Sequence, residues 1–294
     1  MEVSCARERF GKICARRLIA SVRRMEGSME EPDLRDLREH CSELSYFFAS
    51  EYWEHAAEWL GMASGVIKVE FCKTRHFPYL GWCAAADEHD HERDQLLSQL
   101  ATELAVFSFI WGSFESLTEH IVPAQYYSLG KQRLGKIGAT CNFLKNNFEP
   151  EPLLLIYEDL LAQLRTLLIE SEHYNNLKDE FNLRPHVGKS GIGLHVVYKI
   201  RNAFAHGSLV IPEHSEDEQP IDPQLINVSS RIVLLSIQML AQAYYKEDNH
   251  EIDYWWNKSG EASEIDVKVY LRTAHIDEDE EDLNQRVFDF GIAK

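Results

Sequence analysis

The chain has 294 residues, 45% of them hydrophobic and 11% aromatic, so it can bury a sizeable core and is not of the disordered class. Its formal net charge of −18 argues against nucleic-acid binding by bulk electrostatics but leaves room for a local basic site. No run of ~18 apolar residues suggests a membrane span, and the N-terminus (MEVSCARERFGKICARRLIASVRRMEG) lacks the unbroken apolar centre of a secretory signal.

Charge is spread unevenly. Residues 1–24 carry seven Lys/Arg against two Asp/Glu, residues 121–207 ten against eight, and residues 247–294 five against fourteen. Six cysteines (5, 14, 41, 72, 83 and 141) have no C-x-x-C spacing and read as reduced thiols, mostly core, of a cytoplasmic protein.

Residues 3–24 read as a basic amphipathic helix, either an arm for a partner or nucleic acid or a solvated surface helix. Met1, Met25 and Met29 are each compatible with the biological start. Glu31-Pro32-Asp33 resembles a helix start with proline at the first helical position. Leu34, Leu37, Cys41, Leu44, Phe48 and Tyr52 then recur at helical spacing and predict a core-facing stripe. The helical period stops after Leu60, and the alternating, β-branched stretch 65–73 (GVIKVEFCK) predicts a strand.

An irregular link at 74–91 leads to a long, nearly all-round apolar helix from Glu92 to Ile121, ended by Pro123. Residues 130–148 predict a weaker helix and 153–180 a clear one. The stretch 181–191 (FNLRPHVGKSG) reads as a loop, with Ser190 as cap of a helix running to about His206 and Gly207 at its left-handed end. A polar loop precedes a last core helix at 224–246. Residues 264–275 (EIDVKVYLRTAH) alternate and are expected to pair with the strand at 66–72, and an acidic run follows. The reading divides into 1–91, a helical extension with a strand; 92–246, the helical core domain; and 247–294, a strand with an acidic tail. The fold class is mainly α, a helical bundle with a small β-sheet add-on.

One segment is unlike an ordinary core helix. Between Val196 and Pro212 (VVYKIRNAFAHGSLVIP) an apolar run carries Arg201, Asn202 and His206. Buried charge and amide groups need partners, water or a chemical role. Helix positions five apart differ by about 140° and ~7.5 Å along the axis, so Arg201 and His206 do not share one face. A twofold pairing of two such helices brings two arginines and two histidines to one cleft. Those groups suit RNA phosphodiester cleavage, in which the substrate supplies its own 2′-hydroxyl nucleophile. Histidine moves the proton near neutral pH, arginine stabilises the developing charge, and no metal or other cofactor is needed.

At Arg201-Asn202-Ala203-Phe204-Ala205-His206 the sequence resembles the HEPN domain family, whose R-x(4–6)-H signature often takes the R-N-x-x-x-H form. The resemblance covers roughly 92–246. It implies a helical bundle that dimerises through the motif helices, with Arg201 and His206 catalytic and Asn202 shaping the site. It also implies a core acidic residue, here Glu115 in FIWGSFESL, orienting Arg201 or His206. Many such domains are metal-independent ribonucleases of toxin–antitoxin, CRISPR or phage-defence systems. An RNA substrate, a homodimer, and an antitoxin or other regulatory protein are the implied partners, with no membrane involved. Others are inactive RNA-binding, nucleotide-binding or scaffold modules, and that alternative stays open. The family's tyrosine two residues after the histidine, a mark of nucleotidyltransferase-paired toxins, is Ser208 here, so that pairing is not implied.

Simpler readings exist for each group. Arg201, His206 and Glu115 are also compatible with a satisfied helix end and a structural ion pair. Arg35-Asp-Leu-Arg-Glu-His40 matches the bare pattern as well, on what reads as an exposed helix face. His89 and His91 sit in a charged segment with no third ligand, which favours solvation over metal. His173 and His195 read as packing or surface residues. Lys131, Arg133, Lys136 and Lys145 suit an RNA path or a solvated face, and Trp255-Trp256 a base-stacking pair or sheet packing.

Overall fold

The structure is a computed structural model that describes residues 34–71, 84–149, 152–171, 174–207, 221–248, 250–254 and 263–277. The expected basic helix at 3–24, the Pro32 helix start, His173, Trp255, Trp256 and the acidic run after Asp277 lie outside them, as does the side chain of His89.

The described part of the chain is mostly helical. Helix α1 (Leu37–Ser50) starts where the Asp36 carboxylate accepts the Arg38 N–H at 2.8 Å. Residues 34–36 are not helical, so the helix begins later than the Pro32 reading implied. Leu37, Cys41, Leu44 and Phe48 are buried as their spacing required, but Leu34 and Tyr52 lie beyond the helix ends and are exposed. Helix α2 (Glu54–Gly65) packs against α1 and against α3 (Ala84–Ile121), which begins well before the expected Glu92.

The predicted strand at 65–73 is corrected. Its first residue belongs to α2, residues 66–71 carry no regular secondary structure and pair with no strand among the described residues, and residues 72 and 73 lie outside them. Instead, Val69 and Phe71 donate their N–H groups to Thr102 Oγ1 and Ser98 Oγ of α3, each at 2.9 Å. Each hydroxyl meanwhile donates to the carbonyl four residues back in its own helix, at 2.7 Å. For these two N–H groups helix hydroxyls take the place of a partner strand.

A two-residue hairpin, β1 (Ser128–Leu129) with β2 (Gln132–Arg133), precedes α4 (Lys136–Asn147), where one weak helix was expected. The expected helix at 153–180 is α5 (Tyr157–Glu170) followed by a 3₁₀ turn at Asn175–Phe181. Helix α6 (Ile192–Ala205) carries the motif. Helix α7 (Ile221–Tyr244) is the central element and touches α1, α3, α4, α5, α6 and α8. By length and composition alone, Asp90–Ile121 and Asp222–Tyr244 could each cross a membrane. In α7, 83% of that window is buried within the protein, as a central core helix requires.

The expected pairing of 264–275 with 66–72 is also corrected. Strand β4 (Ser263–Asp266) pairs antiparallel with β3 (Glu251–Tyr254), and Val267–Thr273 forms helix α8. Asp266 caps it, accepting from Lys268 and Val269, and Val267, Tyr270, Leu271 and Ala274 are buried at helical spacing. One hydrophobic core runs from Leu37 to Ala274. An isolated bridge between Leu34 and Ile276, with Arg35 N–H on the His275 carbonyl at 3.1 Å, ties the two ends of the described chain together.

Candidate functional site

Helix α6 is held tightly at its start. A Cβ on Gly193 would meet Ile232 Cγ2 at 2.7 Å and the Tyr157 hydroxyl at 2.8 Å, so only glycine lets α5 and α7 approach this closely. The Tyr157 hydroxyl donates to the Ser190 carbonyl at 2.9 Å and accepts from Gly193 N–H at 3.2 Å; burial holds its pKa above the usual tyrosine value. Ser190 is not the helix cap expected of it. Gly191 takes that position, and Ser190 instead gives its N–H and hydroxyl to Glu149 Oε1, both at 3.2 Å.

The other end follows the sequence reading. His206 is the C-terminal cap residue, its N–H on the Asn202 carbonyl at 3.0 Å, and Gly207 has φ +71°, the left-handed conformation that closes a helix. His206 and Gly207 are exposed, whereas Arg201 and Asn202 are half-buried.

An aromatic seam joins α6 to α3. Phe204 meets Phe107 edge-on at 5.3 Å, and Tyr198 stacks with Trp111 at 6.4 Å. The Arg201 guanidinium lies 5.9 Å from the centroid of the Trp111 ring. Such cation–π contacts contribute about 0.5–2 kcal/mol, more as they are desolvated. Among the described residues no carboxylate pairs with Arg201 or His206.

Glu115 is close by, but not where the resemblance implied. Its Oε1 accepts the Trp111 indole N–H at 2.8 Å, so the carboxylate is joined to the ring under Arg201 rather than to Arg201 or His206. The seam also shows why it does not reach His206. Phe107 faces Phe204 while Trp111 faces Tyr198, so α3 and α6 run antiparallel. Glu115 and His206 then lie at opposite ends of the contact, about 15 Å apart at 1.5 Å per residue.

A second polar group was missed. His195, Lys199, Asn202 and His206 fall along one stripe of α6, spaced at near-integral turns. Glu180, from the 3₁₀ turn, accepts from His195 Nε2 at 3.0 Å, bonds Arg184 Nη2 and lies 4.0 Å from Lys199 Nζ. Burial lowers the His195 pKa and the Glu180 bond offsets this only in part, so the imidazole is neutral at pH 7. Burial works against ionising Glu180, yet the His195 bond, Lys199 and Arg184 together hold its pKa below the usual value. The His186 pKa is lowered first by burial and then by the nearby Arg184 and Lys145. The i, i+4 pair Glu180–Arg184 was the available sequence signal.

Other candidates are accounted for. Lys136 Nζ bonds Glu119 at 2.6 Å and Lys145 Nζ the Pro185 carbonyl at 3.0 Å, while Lys131 and Arg133 are exposed. Among the described residues no three His, Cys, Asp or Glu side chains cluster as metal ligands. The second motif match is corrected: Arg35 and His40 are each only 2% exposed. Arg35 bonds the Ile276 carbonyl at 2.9 Å and faces Glu43 at 3.4 Å, as a tie between chain ends. Compared with protein-family models, with curated proteins and with solved structures, the chain gives no match.

Proposed function

We propose that the chain is a metal-independent endoribonuclease of the HEPN type, acting as a homodimer through α6. The observation that carries this reading is Arg201, held on Trp111 with no carboxylate partner among the described residues, five positions (about 1.4 turns) before an exposed His206. A cation kept in place but not neutralised is available to phosphate oxygens. An exposed imidazole at a helix end is available to substrate.

The reaction follows from those groups. The RNA 2′-hydroxyl attacks the adjacent phosphorus, and the His206 imidazole of one subunit accepts its proton. Arg201 stabilises the charge that builds on the phosphate oxygens. Protonated His206 of the second subunit gives a proton to the departing 5′-oxygen. The products are a 2′,3′-cyclic phosphate and a 5′-hydroxyl end.

A second reading, an inactive RNA- or nucleotide-binding module of the same type, is favoured by Glu115 serving Trp111 rather than either motif residue. The test is incubation of total RNA with the purified chain in excess EDTA, beside His206→Ala and Arg201→Ala. Cleavage that both substitutions abolish, with cyclic phosphate ends, supports the enzyme. Intact RNA with the unaltered chain, together with measurable RNA binding, supports the module.

A further inference from the structure

We infer that a cleft at the junction of α1, α2, α3 and α7 is a binding site for a nucleobase. Three aromatic side chains line it, Tyr52 and Trp53 from the α1–α2 turn and Tyr244 from the end of α7, with His55, Ser116 and His120 at its edges. The site is separate from Arg201 and His206 and does not depend on cleavage.

Tyr52 is the unusual residue. Its φ is +62°, which bulky L-residues rarely adopt, at the helix-ending position that glycine normally fills. It is 90% exposed, so packing against the described residues does not explain the choice of tyrosine. Its neighbours, by contrast, are pinned. Glu51 accepts from the Tyr245 hydroxyl at 2.8 Å and bonds His250 Nε2 at 3.1 Å. Trp53 stacks on Phe48 at 5.7 Å and meets Tyr244 edge-on at 5.1 Å. A rigid turn therefore presents one unsupported phenol ring beside a half-exposed second one. Strained residues of this kind cluster at active sites and ligand clamps, held by the structure around them.

The cleft chemistry selects the ligand class. Aromatic walls offer stacking to a planar ring. Two imidazoles and a hydroxyl at the edge offer several donors and acceptors side by side, as the multi-group edge of a nucleobase requires and a phenyl ring does not. Among the described residues no lysine or arginine lines the cleft, and Glu54 does, so the phosphate of a nucleotide lies outside, in solvent.

The test is calorimetric titration of the full chain with the four ribonucleosides and with a 2′-O-methylated hexanucleotide, which offers no nucleophile for cleavage. The expected result is saturable binding of at least one nucleoside, kept by Tyr52→Phe and weakened about tenfold by Tyr52→Gly. The melting temperature of Tyr52→Gly is expected to rise, because glycine relieves the left-handed backbone, so the loss is not one of folding. Binding of the hexanucleotide as well marks RNA as the source of the base, and nucleosides alone mark a free metabolite. Absence of saturation with every probe, or a Tyr52→Gly chain that binds as tightly as the unaltered one, overturns the inference. Because no cleavage is read, this outcome is independent of the ribonuclease test.

Discussion

Arg201 and Glu115 meet through one ring, the guanidinium 5.9 Å from the Trp111 centroid and the carboxylate 2.8 Å from the Trp111 indole nitrogen. This relay separates structural from chemical roles. Glu115→Gln keeps an acceptor for the indole and is expected to leave stability and RNA cleavage nearly unchanged. Glu115→Ala leaves the indole N–H without its partner and costs about 1 kcal/mol in urea denaturation. A large loss of cleavage in Glu115→Gln at unchanged stability would instead give the carboxylate a chemical role.

The two ends of α6 predict different costs for the same substitution. Gly193→Ala drives a methyl group into Ile232, Leu161 and Tyr157, each within 2.8 Å, and is expected to destabilise by about 1–3 kcal/mol. Gly207→Ala meets no atom within 4 Å, so only its φ of +71° opposes it, at about 1 kcal/mol. Chemical denaturation of both variants checks the order.

Acid is expected to destabilise the fold well before its carboxylates protonate. His40 and His275 face each other at 6.1 Å between α1 and α8, with Arg35, Arg231, Arg272 and Gln238 around them. Burial lowers both pKa values, His275 to about 3, with the neighbouring cations adding to the effect. The unfolded chain takes up protons near pH 6.5 while the folded chain does not, so stability falls as pH drops below that point. Urea midpoints measured from pH 7 to pH 4 should fall, and less steeply in His275→Gln.

Glu180 restrains the cations beside the motif stripe. Glu180→Gln removes one negative charge next to Arg184 and Lys199 while keeping an acceptor for His195. If RNA follows this face, the variant binds it more tightly, with a steeper dependence of affinity on salt. Unchanged binding and salt slope would place the RNA elsewhere.

The mainly helical fold was legible because most long apolar segments repeat at three and four residues, and the end of α6 because Gly207 follows His206. The strands were not. Val66–Phe71 has β-rich composition, but composition does not say that Thr102 and Ser98 will accept its N–H groups. Val267–Leu271 satisfies both an alternating and a helical period, and the Asp266 cap decided between them. Arg201 and His206 were singled out from their spacing, whereas the contacts of Trp111 and Glu180 and the distance of Glu115 from His206 depend on tertiary packing around α6. The burial of Arg35 and His40 likewise came from tertiary contacts with His275, Ile276 and Arg231, which a local pattern does not contain.

The Leu34–Ile276 bridge sets the two flanks of the fold side by side. Leu34 and Ile276 are thus held about 5 Å apart, the spacing of paired strands. The same closeness makes the chain suited to circular permutation: new ends opened at the β1–β2 turn and the old flanks joined would leave the core contacts in place.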